Sequence, residues 1–305
     1  MYYEEERSQA EIATALGLSR SNVSRVLAAA RDGGIVEIRI KDPSGRDLAL
    51  ETRLEEQFGL RDCRVADVVE AGQRLARTGE LGARWLTDHL EPGTRIAVSW
   101  GTTMQALVSQ VPADGGFDVE VVPLVGGLSS VDAAITGDEL VRDLSGRLGG
   151  RSQRLHAPAV LTSATARDVL LAEPAISAPL AAARDADLAL VGIGAVGVGS
   201  SAAVVEALGL DESERAAFEA AGPVGDMCAR FYDAHGDAVH GPADDRVIAV
   251  TLAELAAVPT VLGVAAGREK LSGVRGALRS GALDVLVCDR SLALALLDPA
   301  LPADH

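Results

Sequence analysis

Lysine is nearly missing from this chain: of 28 basic side chains in 305 residues, only Lys41 and Lys270 are lysine. Basic charge of any kind is outnumbered by 44 acids, giving a formal net charge of −16. Such a body repels nucleic acid unless contact is confined to a local basic patch. Cysteine is also scarce. Cys63, Cys228 and Cys288 are far apart, odd in number and without metal-ligand spacing. That excludes a disulfide framework and reads as reduced, buried thiols of a cytoplasmic protein. The five histidines are scattered too, so neither a metal nor another cofactor is expected. No run of about 18 apolar residues lacks charge, which argues against a membrane span. The start, MYYEEERSQ, has no basic-then-apolar signal. What remains is a chain with 48% apolar residues, long enough for a large core and more than one domain.

Residues 9 to 26, QAEIATALGLSRSNVSRV, carry the spacing of a DNA-reading helix-turn-helix. Ser8 and Glu11 form a capping-box start, in which each side chain satisfies the other residue's backbone N–H. Ile12 and Leu16 lie on one face, and Gly17 closes the helix where a left-handed residue is needed. Leu18 is expected to plug the turn, and Ser19 to cap the next helix. Val23, Val26, Leu27 and Ala30 follow helical spacing as a buried stripe. The opposite face holds Arg20, Ser21, Asn22, Ser24, Arg25 and Arg31, with no acid between residues 19 and 31. Those residue types hold phosphates and read base edges in a major groove. Ile35–Ile40 then alternates like a strand, which suggests a winged variant with Arg39 and Lys41 near the DNA backbone. Residues 1 to 41 hold six basic and six acidic side chains, leaving 22 and 38 for the rest. A weakly charged single module predicts modest affinity, so two or more copies per molecule are expected.

The breaker cluster Asp42-Pro43-Ser44-Gly45 marks a boundary. The expected organisation is a DNA-binding domain over residues 1–45, a linker helix over 46–58 and a second domain over 59–305. The helix from Arg46 to Phe58 reads equally as a cover of the second domain or as a connector. Beyond it, strand candidates at Arg64–Val69, Arg95–Trp100, Val119–Leu124, Leu188–Ile193, Val247–Thr251, Val261–Val264 and Asp284–Val287 alternate with helical stretches. The latter are Gly72–Leu90, Thr103–Val111, Ile135–Leu148, Ala202–Leu208, Glu269–Arg279 and Ser291–Leu297. This alternation predicts an α/β domain with a mostly parallel sheet. Ligands then sit at the carboxyl ends of the strands.

Several of those ends are glycine-rich. Trp100-Gly101-Thr102-Thr103 opens a helix whose N–H groups and hydroxyls suit a phosphate or carboxylate. Gly126-Gly127, Gly192 to Gly197, Gly225-Asp226-Met227 and Gly267-Arg268-Glu269-Lys270 are the others. One such loop is a tight turn; five in one domain suggest a common pocket. The G-x-G-x-x-G at 192–197 resembles a dinucleotide fingerprint but lies late in the chain, and the acid about 20 residues on, Asp211, sits in a polar loop. Lys270 stands where this chain otherwise chooses arginine, which suits a need for a compact ammonium as well as a drifted surface position. Asp226 and Asp233 flank Arg230 and suit either sugar hydroxyls or an ion pair with that arginine. No histidine pairs with a carboxylate in these loops, so the competing reading, a sugar-phosphate isomerase or deaminase with a vestigial helix-turn-helix, lacks an evident general base.

Across nearly its whole length the chain resembles the SorC family of sugar-responsive bacterial transcriptional regulators. The resemblance rests on Tyr2-Tyr3, LSRSNVSRVLAAARDGGIVEIRI, LALETRLEEQFGL, SWGTTMQAL, VVPLVGG, HAPA, VGIGAVG, GPVGDMCARFYDAHGDAV, DDRVIAV, GVAAGREK and ALDVLVCD. It implies an N-terminal winged helix-turn-helix and a Rossmann-like effector domain similar to the sugar-phosphate isomerase and glucosamine-6-phosphate deaminase fold, with catalysis lost. It further implies a repressor, a homodimer or homotetramer on double-stranded operator DNA, controlled by a sugar or sugar phosphate. In that family pattern Gly101, Thr102 and Thr103 hold the effector phosphate, Asp226 its hydroxyls and Lys270 a second anionic group or a hydroxyl. Gly127 and Gly194 belong to loops that close the pocket. Family members have about one more helix ahead of the paired tyrosines, so the first helix of the module is expected to be truncated here. Leu128-Ser129-Ser130-Val131-Asp132 lacks the arginine a bisphosphate wants, which implies one phosphate or none.

Overall fold

A computed structural model describes residues 1–2, 5, 7–33, 44–113, 115–128 and 136–299. The chain divides into two compact units, Met1–Lys41 and Asp42–His305. The wing expected at Ile35–Ile40, with Arg39 and Lys41, lies outside the described residues, as does the Ser129–Asp132 segment.

In the first unit, α1 (Gln9–Leu16) starts at Ser8 with the capping box closed: Glu11 N–H donates to Ser8 Oγ, and Ser8 N–H donates to the Glu11 carboxylate at 2.8 Å. Gly17 ends it in the left-handed region at φ 65°. Ser19 Oγ then accepts from Asn22 N–H at the start of α2 (Arg20–Asp32). Ile12, Ala13 and Val23 are buried with Leu27 packed on them. Leu16, Leu18 and Val26, expected inside, are instead 55%, 44% and 62% exposed. Two helices share one seam, and these three side chains lie off it.

The second unit is built on a seven-stranded, wholly parallel sheet. Its strands are β1 (Asp62–Ala66), β2 (Arg95–Val98), β3 (Glu120–Pro123), β4 (Arg151–Ser152), β5 (Leu188–Gly192), β9 (Val261–Ala265) and β10 (Val285–Asp289), in the order β1-β10-β9-β5-β2-β3-β4. A three-stranded antiparallel sheet is formed by β6 (Gly194–Ala195), β7 (Pro223–Met227) and β8 (Arg230–Asp233). Sequential residues of the parallel strands enter different cores. Leu188 and Leu190 face one layer, with Leu81 and Leu86 of α4 (Arg74–Asp88), Met104 and Leu144; Ala189 and Val191 face another, with Leu54, Tyr232, Val274 and Leu292. Both faces are therefore covered, which is why these strands read as apolar runs without polar alternation.

The helix read as a cover or a connector is α3 (Leu48–Phe58), which packs within the second unit: Leu50 and Leu54 are buried, and the Glu51 carboxylate accepts Val65 N–H at 2.9 Å. Two expectations change. Val247–Thr251 is not a strand. It makes only isolated bridges, Val247 with Val160 and Ala249 with Val125, because carbonyls of Val247, Ala249 and Val250 accept the buried Arg230 guanidinium. Gly225-Asp226-Met227 is strand β7 of the small sheet rather than a loop of the large one.

The topology places the site. The chain runs from β2 out through β3 to β4, then returns to β5 on the other side of β2 and continues towards β9. The direction of winding thus reverses between β2 and β5, and a crevice opens at their carboxyl ends.

Candidate functional site

The crevice holds a small cavity of about 90 Å³ that opens to solvent. Five segments distant in sequence meet there: Ser99–Thr103 after β2, Val125 after β3, Gly192–Gly194 with Val198–Ser201 after β5, Asp226 with the Cys228-Ala229 turn of the small sheet, and Lys270. Of the seven residues expected to hold an effector, Gly101, Thr102, Thr103, Gly194, Asp226 and Lys270 line this cavity. Gly127 does not. Its N–H donates to Ala157 O and its carbonyl accepts from Ala159 N–H, so its polar groups are consumed by a bridge to that segment. The loop still supports the wall, since Trp100 Nε1–H donates to Gly126 O at 2.8 Å.

Two helices end on the cavity without a side-chain cap. α5 (Thr102–Gln110) begins at Gly101, and the helix Gly199–Ala207 begins at Val198. Their first N–H groups have no intrahelical acceptor, and the helix dipoles add positive potential there. Gly101 has φ 123°, a conformation unfavourable for any other residue. Ser99 Oγ accepts from Gly192 N–H at 3.1 Å and ties the ends of β2 and β5 together.

The opposite wall carries the charge. Asp226 and Lys270 both face the cavity, Asp226 only 7% exposed. Lys270 Nζ donates to Ile193 O at 2.9 Å. The turn bearing Lys270 is fixed from below by the wholly buried Asp289, whose Oδ2 accepts Gly267 N–H at 2.5 Å. Burial pushes the Asp226 carboxyl above its ordinary pKa; the Ser201 hydroxyl, the Lys270 ammonium and Ala229 N–H oppose that rise. Burial likewise lowers the Lys270 pKa, against the pull of Asp226 and Glu269. Asp226 Oδ1 and Ser201 Oγ are nevertheless buried without a hydrogen bond: the hydroxyl lies close enough to favour the carboxylate, yet no bond closes between them.

Arg230 takes no part. It is 5% exposed and donates to Val247 O, Ala249 O, Val250 O and both Asp244 O and Oδ1. Neither flanking aspartate pairs with it. Asp233 Oδ1 accepts from His235 and Asp237 N–H in a turn. The sequence reading missed Ser201 and the Cys228-Ala229 turn, whose φ values are 55° and 61°. Burial pushes the Cys228 thiol well up, so it is not a ready nucleophile.

In the first unit, Arg20, Ser21, Ser24 and Arg25 are exposed on α2, and Asn22 is half-buried. The Arg25 guanidinium donates to Asn22 Oδ1. The Arg31 side chain lies outside the described residues.

Residues 42–298 match the sugar-binding domain family, and residues 1–32 match sigma-70 region 4, a helix-turn-helix. The sorbitol operon regulator of Klebsiella pneumoniae is 32% identical over 97% of this chain and 95% of its own. The chain belongs to the SorC family of sugar-binding transcriptional regulators. The deoxyribonucleoside regulator of Bacillus subtilis is 31% identical over 98% of this chain and 95% of its own. The crystal structure of full-length SorC from Klebsiella pneumoniae superposes with a TM-score of 0.77 at 31% identity, covering 97% of this chain and 96% of SorC. These relatives are regulators rather than enzymes, and so is this family member. No helix among the described residues is long and apolar enough to cross a membrane.

Proposed function

We propose that the chain is a cytoplasmic repressor that binds double-stranded operator DNA through α2 and is controlled by a sugar or sugar phosphate in the cavity. Arg25, Asn22 and Ser21 face bases, Ser24 supports them, and Arg20 and Arg31 hold phosphates. Gly101, Thr102 and Thr103 receive the anionic group at the uncapped start of α5; Asp226 and Lys270 take hydroxyls. Two or four copies act together, because one nearly neutral reading head on an acidic body binds DNA weakly. The effector domain is of the sugar-phosphate isomerase type with its catalysis lost.

The observation that carries this reading is the cavity at the β2/β5 reversal, where uncapped helix starts face a buried aspartate whose Oδ1 has no partner. An anionic polyol satisfies both ends. Sequences selected from random DNA by the purified chain serve as the operator, and sugar phosphates are titrated into the complex while fluorescence anisotropy reports DNA release. Saturable release by one sugar phosphate, with no turnover of it, is expected. Failure to select any DNA sequence, or turnover of the sugar phosphate, defeats the reading.

A further inference from the structure

We infer that Ser201 and Asp226 together read one hydroxyl of the cavity's occupant, which donates its proton to Asp226 Oδ1 and accepts one from Ser201 Oγ. The inference rests on the reading that the cavity takes a sugar.

Ser201 is 1% exposed and Asp226 7%, and both line the cavity. Oγ of the first and Oδ1 of the second are buried with no hydrogen bond. Native structures leave few buried polar atoms unpaired, and one in a cavity wall points to a partner that arrives later. The two side chains converge on one patch of that wall. A Cβ built on Gly194 lies 2.0 Å from Asp226 Oδ1 and 3.1 Å from Ser201 Cβ. Gly194 is thus bare because the carboxylate and the serine occupy the space over it.

The chemistry selects a hydroxyl. The carboxylate is acceptor-only, whereas the serine hydroxyl can donate. A ligand O–H supplies one proton and one lone pair, which completes both atoms at once. An anionic group in the same place faces the Asp226 carboxylate. A methyl leaves both atoms unpaired, which is how sites built around a hydroxyl reject the deoxy analogue. The cavity is then polarised, with an anion at the α5 start and a specified hydroxyl at the Ser201–Asp226 wall.

Ser201→Ala tests this in two ways. Without any ligand, the variant should melt at the wild-type temperature or about 1–3 °C above it, because it removes an unsatisfied buried hydroxyl. A fall of several degrees assigns the hydroxyl a structural partner and overturns the inference. Calorimetry then compares sorbitol 6-phosphate, ribose 5-phosphate, 2-deoxyribose 5-phosphate and inorganic phosphate. The tightest sugar phosphate should lose at least about tenfold in affinity, while inorganic phosphate binds both proteins alike. Equal affinities throughout, or an equal loss for inorganic phosphate, overturn the inference. If unaltered protein binds none of the sugar phosphates, the sugar reading itself fails, and that failure is recognisable because no substitution is involved.

Discussion

Gly194→Ala offers the sharpest discrimination between a glycine that shapes the cavity and one that merely turns the chain. The position lies in β6, and its φ is not positive, so alanine meets no backbone penalty. The added methyl would nevertheless stand 2.0 Å from Asp226 Oδ1, well inside van der Waals contact. The carboxylate must therefore swing out of its place. Overpacking of this kind costs about 1–3 kcal/mol. The displaced acceptor also forfeits a charged hydrogen bond to the ligand worth about 1.5–3 kcal/mol, or about 10- to 150-fold in affinity. Gly197→Ala is the control. Gly197 has φ 82° and nothing within 4 Å of a built Cβ. Alanine there costs about 1–2 kcal/mol of backbone strain without entering the cavity. Calorimetry against sugar phosphates and thermal unfolding should give two variants of similar stability, of which only Gly194→Ala loses the ligand. On selected DNA, Gly194→Ala should stay bound at sugar phosphate concentrations that release wild type. Normal ligand affinity in Gly194→Ala, or an equal loss in Gly197→Ala, refutes the reasoning.

Arg25→Ala should weaken operator binding by about 1–3 kcal/mol and relax preference at one base position, read by gel shift on single-base variants; unchanged selectivity removes the base-reading role. Arg230→Met should destabilise the fold by about 3–5 kcal/mol in urea, since it strips four carbonyls and Asp244 Oδ1 of their buried donor; a loss below 1 kcal/mol would show those acceptors finding water. The Asp226 pKa, raised by burial above 3.8, also predicts a pH dependence. Between the ordinary and the raised value the folded state holds the extra proton, so this group's contribution to stability falls as pH rises through that window. The difference in melting temperature between wild type and Asp226→Asn should therefore drift downwards from about pH 4 and then level off, whatever its starting offset; a flat difference refutes it.

Much of this architecture is legible in the sequence because local chemistry and tertiary role agree. Ser8, Glu11, Gly17 and Ser19 each do locally what the hairpin needs globally. The runs at Ile96–Val98 and Leu188–Val191 are continuous because both faces of the parallel sheet are covered. The small sheet is hidden for the opposite reason. β6 has two residues, and the β7–β8 turn places Cys228 and Ala229 at positive φ, where asparagine and glycine ordinarily announce a hairpin. Ser201 sits in the first turn of its helix and differs from its neighbour Ser200 only by burial, which spacing does not encode. Val247–Thr251 has strand composition, but its carbonyls answer a guanidinium across the fold. Gly127 lies in a glycine pair indistinguishable by composition from the loops that do line the cavity.

The turn at Cys228-Ala229 and the unpaired atoms beside it share one energetic character. Non-glycine residues at positive φ cost about 1–3 kcal/mol each, and an unsatisfied buried polar group costs about 1–3 kcal/mol. Both occur within one cavity wall, near the richly bonded Asp289. A ligand that completes Asp226 Oδ1 and Ser201 Oγ recovers part of that cost only when bound. It can shift DNA binding only by as much as it favours one arrangement of the wall over another. Completing one such atom is worth about 1–3 kcal/mol, the size of a typical coupling between sites.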